Sequence, residues 1–374
     1  MSPSFTKIKI IHLQVLPIMS GAQNMMLSLL TGLDSKKYEI CVVSRGDGPL
    51  VDAVRAHGWD HIAIDSLCRE LSLKDFKTAF KLFLLFKKKK PDIVHSHSSK
   101  TGFLGRIISK LCGVPLVIHT IHGFPFHPYQ NGISKTCFIL LESFAAFFAD
   151  FNVFMNKYER EMSIHKLGFN KKKSVLIYNG IPVAPLTKTY DECFLKNDQL
   201  SIVSVARFSK QKNVISTIEQ AIKVVKKHEH VLFTFFGDGE LYAECQNIIN
   251  KNKVSDRIML HGWAENVLER LLEFDVFLLN SLWEGLSISI LEAMSVGLPI
   301  ICSDIKGNNE LVDDHNGWLI EPYDLGALEK VISEILNNKN VLSIKGEESI
   351  KKVTKQFYYE LFVNEYENLY NCLR

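Results

Sequence analysis

The sequence predicts an α/β protein made of two Rossmann-like, doubly wound parallel-sheet domains facing a cleft. Three observations carry this expectation. The chain has 374 residues, enough for two separate cores. Apolar runs of strand length alternate with amphipathic runs of helix length almost throughout. A Gly/Pro-punctuated stretch, Asn179-Gly180-Ile181-Pro182-Val183-Ala184-Pro185, separates two halves that repeat the same pattern.

In the first half, strand-like runs stand at Ile8–Val15, Ile40–Ser44, His61–Ile64, Ile93–His95, Leu116–His119 and Asn152–Phe154. Helix-like segments such as Met25–Leu33 and Phe103–Leu111 lie between them. In the second half the runs are Ser201–Ala206, Leu232–Phe236, Arg257–Leu260, Val276–Leu279 and Pro299–Cys302. The stretch Tyr358–Leu373 reads as a closing helix. The expected domains are 1–180 and 181–374, with the last helix, about 355–374, crossing back to the first. In such sheets, ligands sit at the carboxyl ends of the strands.

The composition, 47% hydrophobic and 23% charged, is that of an ordinary globular protein. A formal net charge of +3 hides an asymmetry, because residues 1–180 carry 24 Lys+Arg against 13 Asp+Glu. A basic first half and an acidic second half imply different partners for each. The eight cysteines are scattered, with no Cys-x-x-Cys pair, and read as reduced thiols of a cytosolic protein. Lys7-Ile8-Lys9-Ile10-Ile11 runs directly into a strand without an apolar signal core. The most apolar stretch, Phe138–Phe154, is interrupted by Glu142 and Asp150 and does not suit a bilayer span.

The most informative segment runs from Ser281 to Met294 (SLWEGLSISILEAM) and sets Glu284 and Glu292 with seven residues between them. Glu284 falls in a loop after an apolar strand, and Glu292 inside the helix that follows. A helix beginning near Leu286 would aim free backbone N–H groups, and about half a positive charge, at an anion. A rise of about 1.5 Å per residue puts the two carboxylates at most roughly 12 Å apart, a span that lets them flank a diphosphate. That layout suits a nucleotide-sugar. In Val205-Ala206-Arg207-Phe208-Ser209-Lys210-Gln211-Lys212-Asn213, a strand ends and a helix starts near Asn213. Arg207 and Lys212 project from the loop between, as cations for the same diphosphate. By itself this loop is equally a solvated basic turn.

Weaker signals accompany these. Phe236-Gly237-Asp238-Gly239 opens like a dinucleotide fingerprint, but Tyr242 stands where a third glycine is expected. It reads either as a tight strand–helix turn or as a close approach of backbone to nucleotide. Gly21, in Met19-Ser20-Gly21-Ala22-Gln23, gives a left-handed turn or a close approach to ligand. His95, His97, His119, His122 and His127 gather at or after strand ends. Along His95-Ser96-His97 side chains alternate faces, and on this reading the two imidazoles do not share an ion. No acidic ligand set accompanies them, so no metal is expected. His122, in Thr120-Ile121-His122-Gly123-Phe124, suits a hydrogen bond to a sugar hydroxyl across the cleft. The helix from Phe76 to Lys90, with Phe80, Phe83, Leu84 and four terminal lysines, packs on the sheet or meets an anionic membrane surface. No aromatic-basic module for nucleic acid is visible.

Together these residues resemble the family 4 retaining glycosyltransferases of GT-B fold, over nearly the whole chain. The resemblance rests on the Glu284/Glu292 block through Gly297-Leu298-Pro299, on Gly307-Asn308-Asn309-Glu310-Leu311-Val312, and on Asn316-Gly317-Trp318-Leu319. The Arg207–Lys212 loop and Asn179-Gly180-Ile181 match as well. The stretches from His95 to Gly102 and from Ile121 to His127 are similar to the bacterial capsule and O-antigen branch. Members of that branch add a hexose or N-acetylhexosamine to a polyprenyl-diphosphate-linked sugar.

The resemblance implies that Arg207 and Lys212 hold the donor diphosphate, probed also by backbone N–H groups near Leu286 and Ser287. It implies that Glu284 meets the donor sugar and Glu292 the ribose. His122 matches the active-site histidine, and Gly21 the glycine loop of the first domain. Gly21, Gly237 and Gly239 are grouped with the donor site. The sequence departs from the family at Ser20, where a second glycine is usual, and at Lys306-Gly307, where Gly-Gly is usual. The expected enzyme needs no cofactor and no metal. Its expected partners are a nucleotide-sugar, expected to be a UDP-sugar, a lipid-linked saccharide, and the cytoplasmic face of the inner membrane. The residues alone leave open a nucleotide-sugar epimerase and a non-catalytic nucleotide-sugar binding protein.

Overall fold

Seven strands, all parallel, form a first sheet: β1 (Ile8–Leu13), β2 (Tyr38–Ser44), β3 (Asp60–Ala63), β4 (Ile93–His97), β5 (Leu116–Ile121), β6 (Phe151–Phe154) and β7 (Ser174–Leu176). Their spatial order is β3-β2-β1-β4-β5-β6-β7. Six more build a second parallel sheet: β8 (Leu200–Val205), β9 (Val231–Phe236), β10 (Ile258–His261), β11 (Val276–Leu279), β12 (Ile300–Ser303) and β13 (Gly317–Ile320), in the order β10-β9-β8-β11-β12-β13. Both orders reverse direction once, between β1 and β4 and between β8 and β11, which is where doubly wound sheets bind ligands. This computed structural model describes residues 6–373 apart from 69, 71, 125, 127–131, 183, 185, 186, 191–198 and 265. His127, Cys193, Val183 and Pro185 therefore lie outside the described residues.

The chain divides into one unit of residues 1–179 with 360–374 and a second of residues 180–359. In the first, the strands are separated by α1 (Gly21–Gly32), α2 (Pro49–Ala56), α3 (Lys74–Lys89), α4 (Ser99–Cys112), α5 (Gly132–Ala146) and α6 (Lys157–Lys166). In the second they are separated by α7 (Val214–Lys227), α8 (Tyr242–Asn252), α9 (Val267–Leu271), α10 (Ile288–Ser295) and α11 (Asn308–Leu311), followed by α12 (Ala327–Asn337) and α13 (Asn340–Gln356). The closing helix α14 (Tyr359–Tyr370) packs with the first unit.

Helices on both faces bury the central strands completely. This is why β11 and β12 read as almost unbroken apolar runs rather than alternating ones, while β4 and β5, buried as fully, carry His95, Ser96, His97, His119 and Thr120 into the interior. Ile11, Leu13, Val43, Leu82, Val94 and Val117 lie in the first core. Ile202, Ile218, Phe233, Val276, Leu278 and Ile301 lie in the second. Two strands had no counterpart in the sequence reading. β7 has only three residues and follows a lysine-rich turn, and β13 begins on a glycine. Both lie at sheet edges, where neighbours rather than local pattern decide pairing.

α4 sits between α3 and α5 in one helical layer. The outer faces of α3 and α5 are unusually apolar. Leu73, Phe76, Phe80 and Leu84 form a stripe along α3, with Phe76 78% and Phe80 63% exposed. Ile133, Leu140, Phe144 and Phe147 are likewise exposed on or beside α5. Phe83, expected on this stripe, is instead partly buried, with Lys87 Nζ 5.7 Å from its ring centre.

Candidate active site

In the second unit, the loops leaving β8 and β11 are neighbours because those strands pair at the reversal point. They are stitched together. The Leu282 amide donates to the Gln211 carbonyl at 2.8 Å, and Gln211 Nε2 donates to the Trp283 carbonyl at 2.9 Å. Lys212 Nζ forms an ion pair with Glu284 Oε1, and Ser281 Oγ donates to the same carboxylate oxygen at 2.7 Å. A third loop, after β12, closes on them. Gly307 holds a φ of 95°, and a Cβ there would lie 2.2 Å from the Gly285 carbonyl oxygen. Only glycine fits both demands.

The helix after Glu284 starts later than expected. α10 begins at Ile288, with Ser287 as its N-cap and Ser287 Oγ accepting from the Ile290 amide at 3.4 Å. The serine side chain competes for the first turn and sets the boundary there. Leu286 therefore lies in a bend before the helix, and the free amides of the terminus begin at Ser287. Glu292 lies on α10, and burial raises its carboxyl to about 7.

Arg207 does not join this cluster. It is exposed and pairs with Glu240 at 3.2 Å, at the far end of its loop. Gly237 and Gly239 have a duty within the protein. A Cβ on Gly237 would lie 1.9 Å from the Ala206 carbonyl oxygen, and one on Gly239 2.5 Å from that of Phe208. The turn after β9 thus packs backbone to backbone under the Arg207 loop, which accounts for both glycines as the tight strand–helix turn. Gly21 is the first residue of α1 and not a left-handed turn, since its φ is not positive. Ser20 is the N-cap, and its hydroxyl turns to Gln23 Oε1.

In the first unit, a pocket of about 180 Å³ opens beyond β4 and β5, lined among others by Ser98, Ser99, His122, Phe124 and Glu142. His122 follows β5 directly. His95 and His119 lie within strands rather than at their ends. The separation of His95 from His97 is overturned. Residues two apart on a strand share a face, and these two rings lie 4.2 Å apart with His12 of β1 beside both. Their ligand atoms and those of His12 all fall within 4.8 Å of one another. Burial keeps His12 near 3 and His122 near 4, and holds His95, His97 and His119 well below the usual imidazole range. These side chains are uncharged at neutral pH.

Sequence reasoning missed four residues, one lining this pocket and three buried behind it. His12 sits in an apolar run with nothing to mark it. Tyr366 and Tyr370 come from the last helix, where their four-residue spacing is the one available signal. Glu142, read only as an interruption of an apolar stretch, makes a buried 2.6 Å ion pair with Arg106 and also lines the pocket.

Two parallel-sheet units, each with its loops gathered at the strand reversal, define a GT-B architecture, and the sequence comparisons give the family. The profile described as Glycosyltransferase Family 4 matches residues 19–184, and that described as Glycosyl transferases group 1 matches residues 189–356. The chain belongs to the family 4 glycosyltransferases of GT-B fold, in the capsule and O-antigen branch. It is 34% identical, over 99% of its length and 98% of the relative's, to an Escherichia coli UDP-Gal:alpha-D-GlcNAc-diphosphoundecaprenol alpha-1,3-galactosyltransferase. It is 26% identical to the Escherichia coli O-antigen biosynthesis glycosyltransferase WbnH, over 79% of this chain and 81% of that one. Among solved structures, Anabaena HepE in complex with UDP and glucose superposes with a TM-score of 0.82 at 17% identity, covering 97% of this chain and 99% of that one. These relatives are transferases, which removes the epimerase and the non-catalytic binding protein that the residues alone left open.

Proposed function

We propose that this enzyme moves galactose from UDP-galactose to a polyprenyl-diphosphate-linked N-acetylhexosamine, with retention of configuration, during assembly of an O-antigen or capsule repeat. The observation that carries the reading is the 34% identity, sustained over the whole chain, to a galactosyltransferase named for that donor and acceptor. UDP-galactose holds its sugar in the α configuration, so an α-linked product is one of retention.

In this reading the second unit binds the nucleotide-sugar. As the bond to the anomeric carbon stretches, negative charge builds on the departing diphosphate. Lys212, Arg207 and the amides from Leu286 and Ser287 into the first turn of α10 stabilise it. The diphosphate draws Lys212 toward itself and leaves the Glu284 carboxylate to accept hydrogen bonds from the sugar. Glu292 binds the ribose hydroxyls. Gly237 and Gly239 support the Arg207 loop from beneath. These cations and amides supply the charge that a divalent ion would otherwise bring, so the reaction proceeds without a metal or other cofactor. No carboxylate of the pair is opposed across an anomeric carbon as a glycosidase pair would be, which favours attack on the same face over a covalent intermediate.

The first unit receives the acceptor, with His122 hydrogen-bonding a sugar hydroxyl and Gly21 at the start of α1 beside the substrate. Among the described residues no helix is long and apolar enough to cross a membrane. The apolar stripes of α3 and α5, rimmed by exposed Lys74, Lys77, Lys87, Lys88 and Lys90, suit peripheral binding to an anionic surface on the cytoplasmic face of the inner membrane.

The test is a transfer assay with UDP-galactose, UDP-glucose and UDP-N-acetylglucosamine against a synthetic N-acetylglucosaminyl-diphosphate-lipid, with and without EDTA. Proton NMR of the product reads the new anomeric coupling. Galactose transfer giving an α linkage, unchanged by EDTA, is expected. A β linkage overturns retention, EDTA-sensitive turnover overturns the metal-free site, and preference for another donor overturns the choice of galactose.

A further inference from the structure

Behind His122, six side chains continue an unbroken file of hydrogen bonds through the first unit. His122 Nε2 lies 3.0 Å from His97 Nδ1, and His97 Nε2 lies 3.0 Å from His12 Nδ1. His12 Nε2 is 3.4 Å from the Tyr370 hydroxyl, which is 2.8 Å from His95 Nδ1. His95 Nε2 is 2.7 Å from Thr120 Oγ1, which is 2.8 Å from the Tyr366 hydroxyl. All six are buried, none more than 2% exposed. They come from β1, β4, β5 and α14, so the file exists only once the closing helix has docked.

A neutral imidazole has one N–H and one lone pair on its two nitrogens, and a hydroxyl has one proton to give. Each link needs one donor and one acceptor. With every imidazole neutral, His97 and His12 must each donate on one side and accept on the other, so the links from His122 through His97 and His12 to Tyr370 all point the same way. The Tyr370 and Thr120 hydroxyls, with two lone pairs each, either pass that direction on or accept from both neighbours. Reversing one link of the imidazole stretch leaves two protons facing each other, or two lone pairs, in a site with no water-like dielectric to soften either. That stretch therefore has two coherent directions. In one, His122 donates through Nε2 and its Nδ1 carries a lone pair. In the other, Nε2 accepts and Nδ1 carries the proton.

We propose that His97, His12 and Tyr370 are positioning residues which, through this one-directional stretch of protons, fix the tautomer and orientation that His122 presents to its sugar. The proposal rests on the reading of His122 as a substrate-contacting group. A divalent cation held by His12, His95 and His97 is the rival use of the same cluster. The file is favoured because all six nitrogens of those three rings already have partners. Moreover, among the described residues, no carboxylate belongs to the cluster to offset an ion's charge.

The test uses full-length enzyme labelled with ¹⁵N-histidine, whose long-range nitrogen–proton correlations report each ring's tautomer at pH 7. Wild type is expected to show His12, His97 and His122 neutral, each in one tautomer. Tyr370→Phe, which removes only a hydroxyl, is expected to mix the His122 tautomers and to lower kcat for transfer roughly tenfold, the scale of one hydrogen bond. It should leave the donor KM unchanged and cause no further loss in a His122→Ala background. If Tyr370→Phe fails to fold, His97→Gln replaces it. Its amide keeps a donor and an acceptor and should retain turnover that His97→Leu loses. A His122 tautomer indifferent to Tyr370→Phe overturns the file, as do losses that multiply with His122→Ala. Stoichiometric zinc in the purified enzyme, released by His12→Ala, overturns it in favour of the metal. Wild-type transfer by His122→Ala sinks instead the reading beneath it, while the NMR arm still decides the file.

Discussion

Lys212 and Glu284, 72 positions apart in the chain, meet as an ion pair that joins the loop after β8 to the loop after β11. Their side chains are only 19% and 9% exposed, so each is held largely out of water by the other. A pair of this kind stores its partners in position. In the proposed mechanism, an anion arriving at Lys212 would find the ammonium already largely desolvated.

Lys212→Ala is expected to lower kcat by roughly 10²-fold or more, the scale for losing one donor to a developing anion. Arg207→Ala should cost less than this, because Arg207 is exposed and pairs with Glu240 instead of joining the cluster. Steady-state kinetics on both variants decide the ranking. An Arg207 variant that is the slower of the two would mean the lysine serves only to hold Glu284.

Glu292 should trade stability for binding. Its folded value, raised to about 7, lies above the ordinary carboxyl value of 4.5, so ionising it is easier in the unfolded chain. Its contribution is full below about pH 4.5 and is lost as pH rises through 7. Glu292→Gln is therefore expected to raise stability by on the order of 1–3 kcal/mol at pH 8, with no gain near pH 4.5. The same variant should bind UDP more weakly. Denaturant melts at both pH values and calorimetric titration with UDP read the two effects. A variant that gains no stability at pH 8 and binds UDP as tightly as wild type would remove Glu292 from the site.

The buried imidazoles make the first unit acid-sensitive. His12, His95, His97, His119 and His122 all have folded values below the ordinary 6.5, so the unfolded chain binds more protons below that point. Stability is full above about pH 6.5 and falls as pH drops toward their folded values. Each imidazole costs about 1.4 kcal/mol per pH unit in that window, and several together cost roughly 5 kcal/mol per unit. Circular dichroism at fixed temperature should show cooperative acid unfolding between about pH 6 and 5. Retention of native signal at pH 4.5 would contradict the neutral cluster.

The exposed stripe on α3 should govern membrane binding. Phe76→Ser with Phe80→Ser is expected to abolish flotation with anionic vesicles, and replacing Lys87–Lys90 by Ser to weaken it, while neither alters thermal stability much. Neutral vesicles should bind poorly throughout. Unchanged flotation of the phenylalanine variant would rule this surface out.

The amino-acid sequence by itself determined the two α/β units, most of their strands, and the family whose motifs include Glu284, Glu292, Arg207 and Lys212. It could do so because fully buried parallel strands are continuous apolar runs. In addition, the residues after β8 and β11 lie in short segments whose types are readable locally. Only the tertiary structure decided which of those residues meet. It paired Lys212 with Glu284 and turned Arg207 to Glu240. It also moved the start of α10 from Leu286 to Ile288, because a serine side chain captured the Ile290 amide. The histidine file was likewise illegible in the sequence. Its members come from three strands and from a helix some 250 residues further along the chain. Side-chain hydrogen bonds over such distances in sequence leave no periodic mark, since they depend on strand order and on the docking of the closing helix rather than on any residue's neighbours.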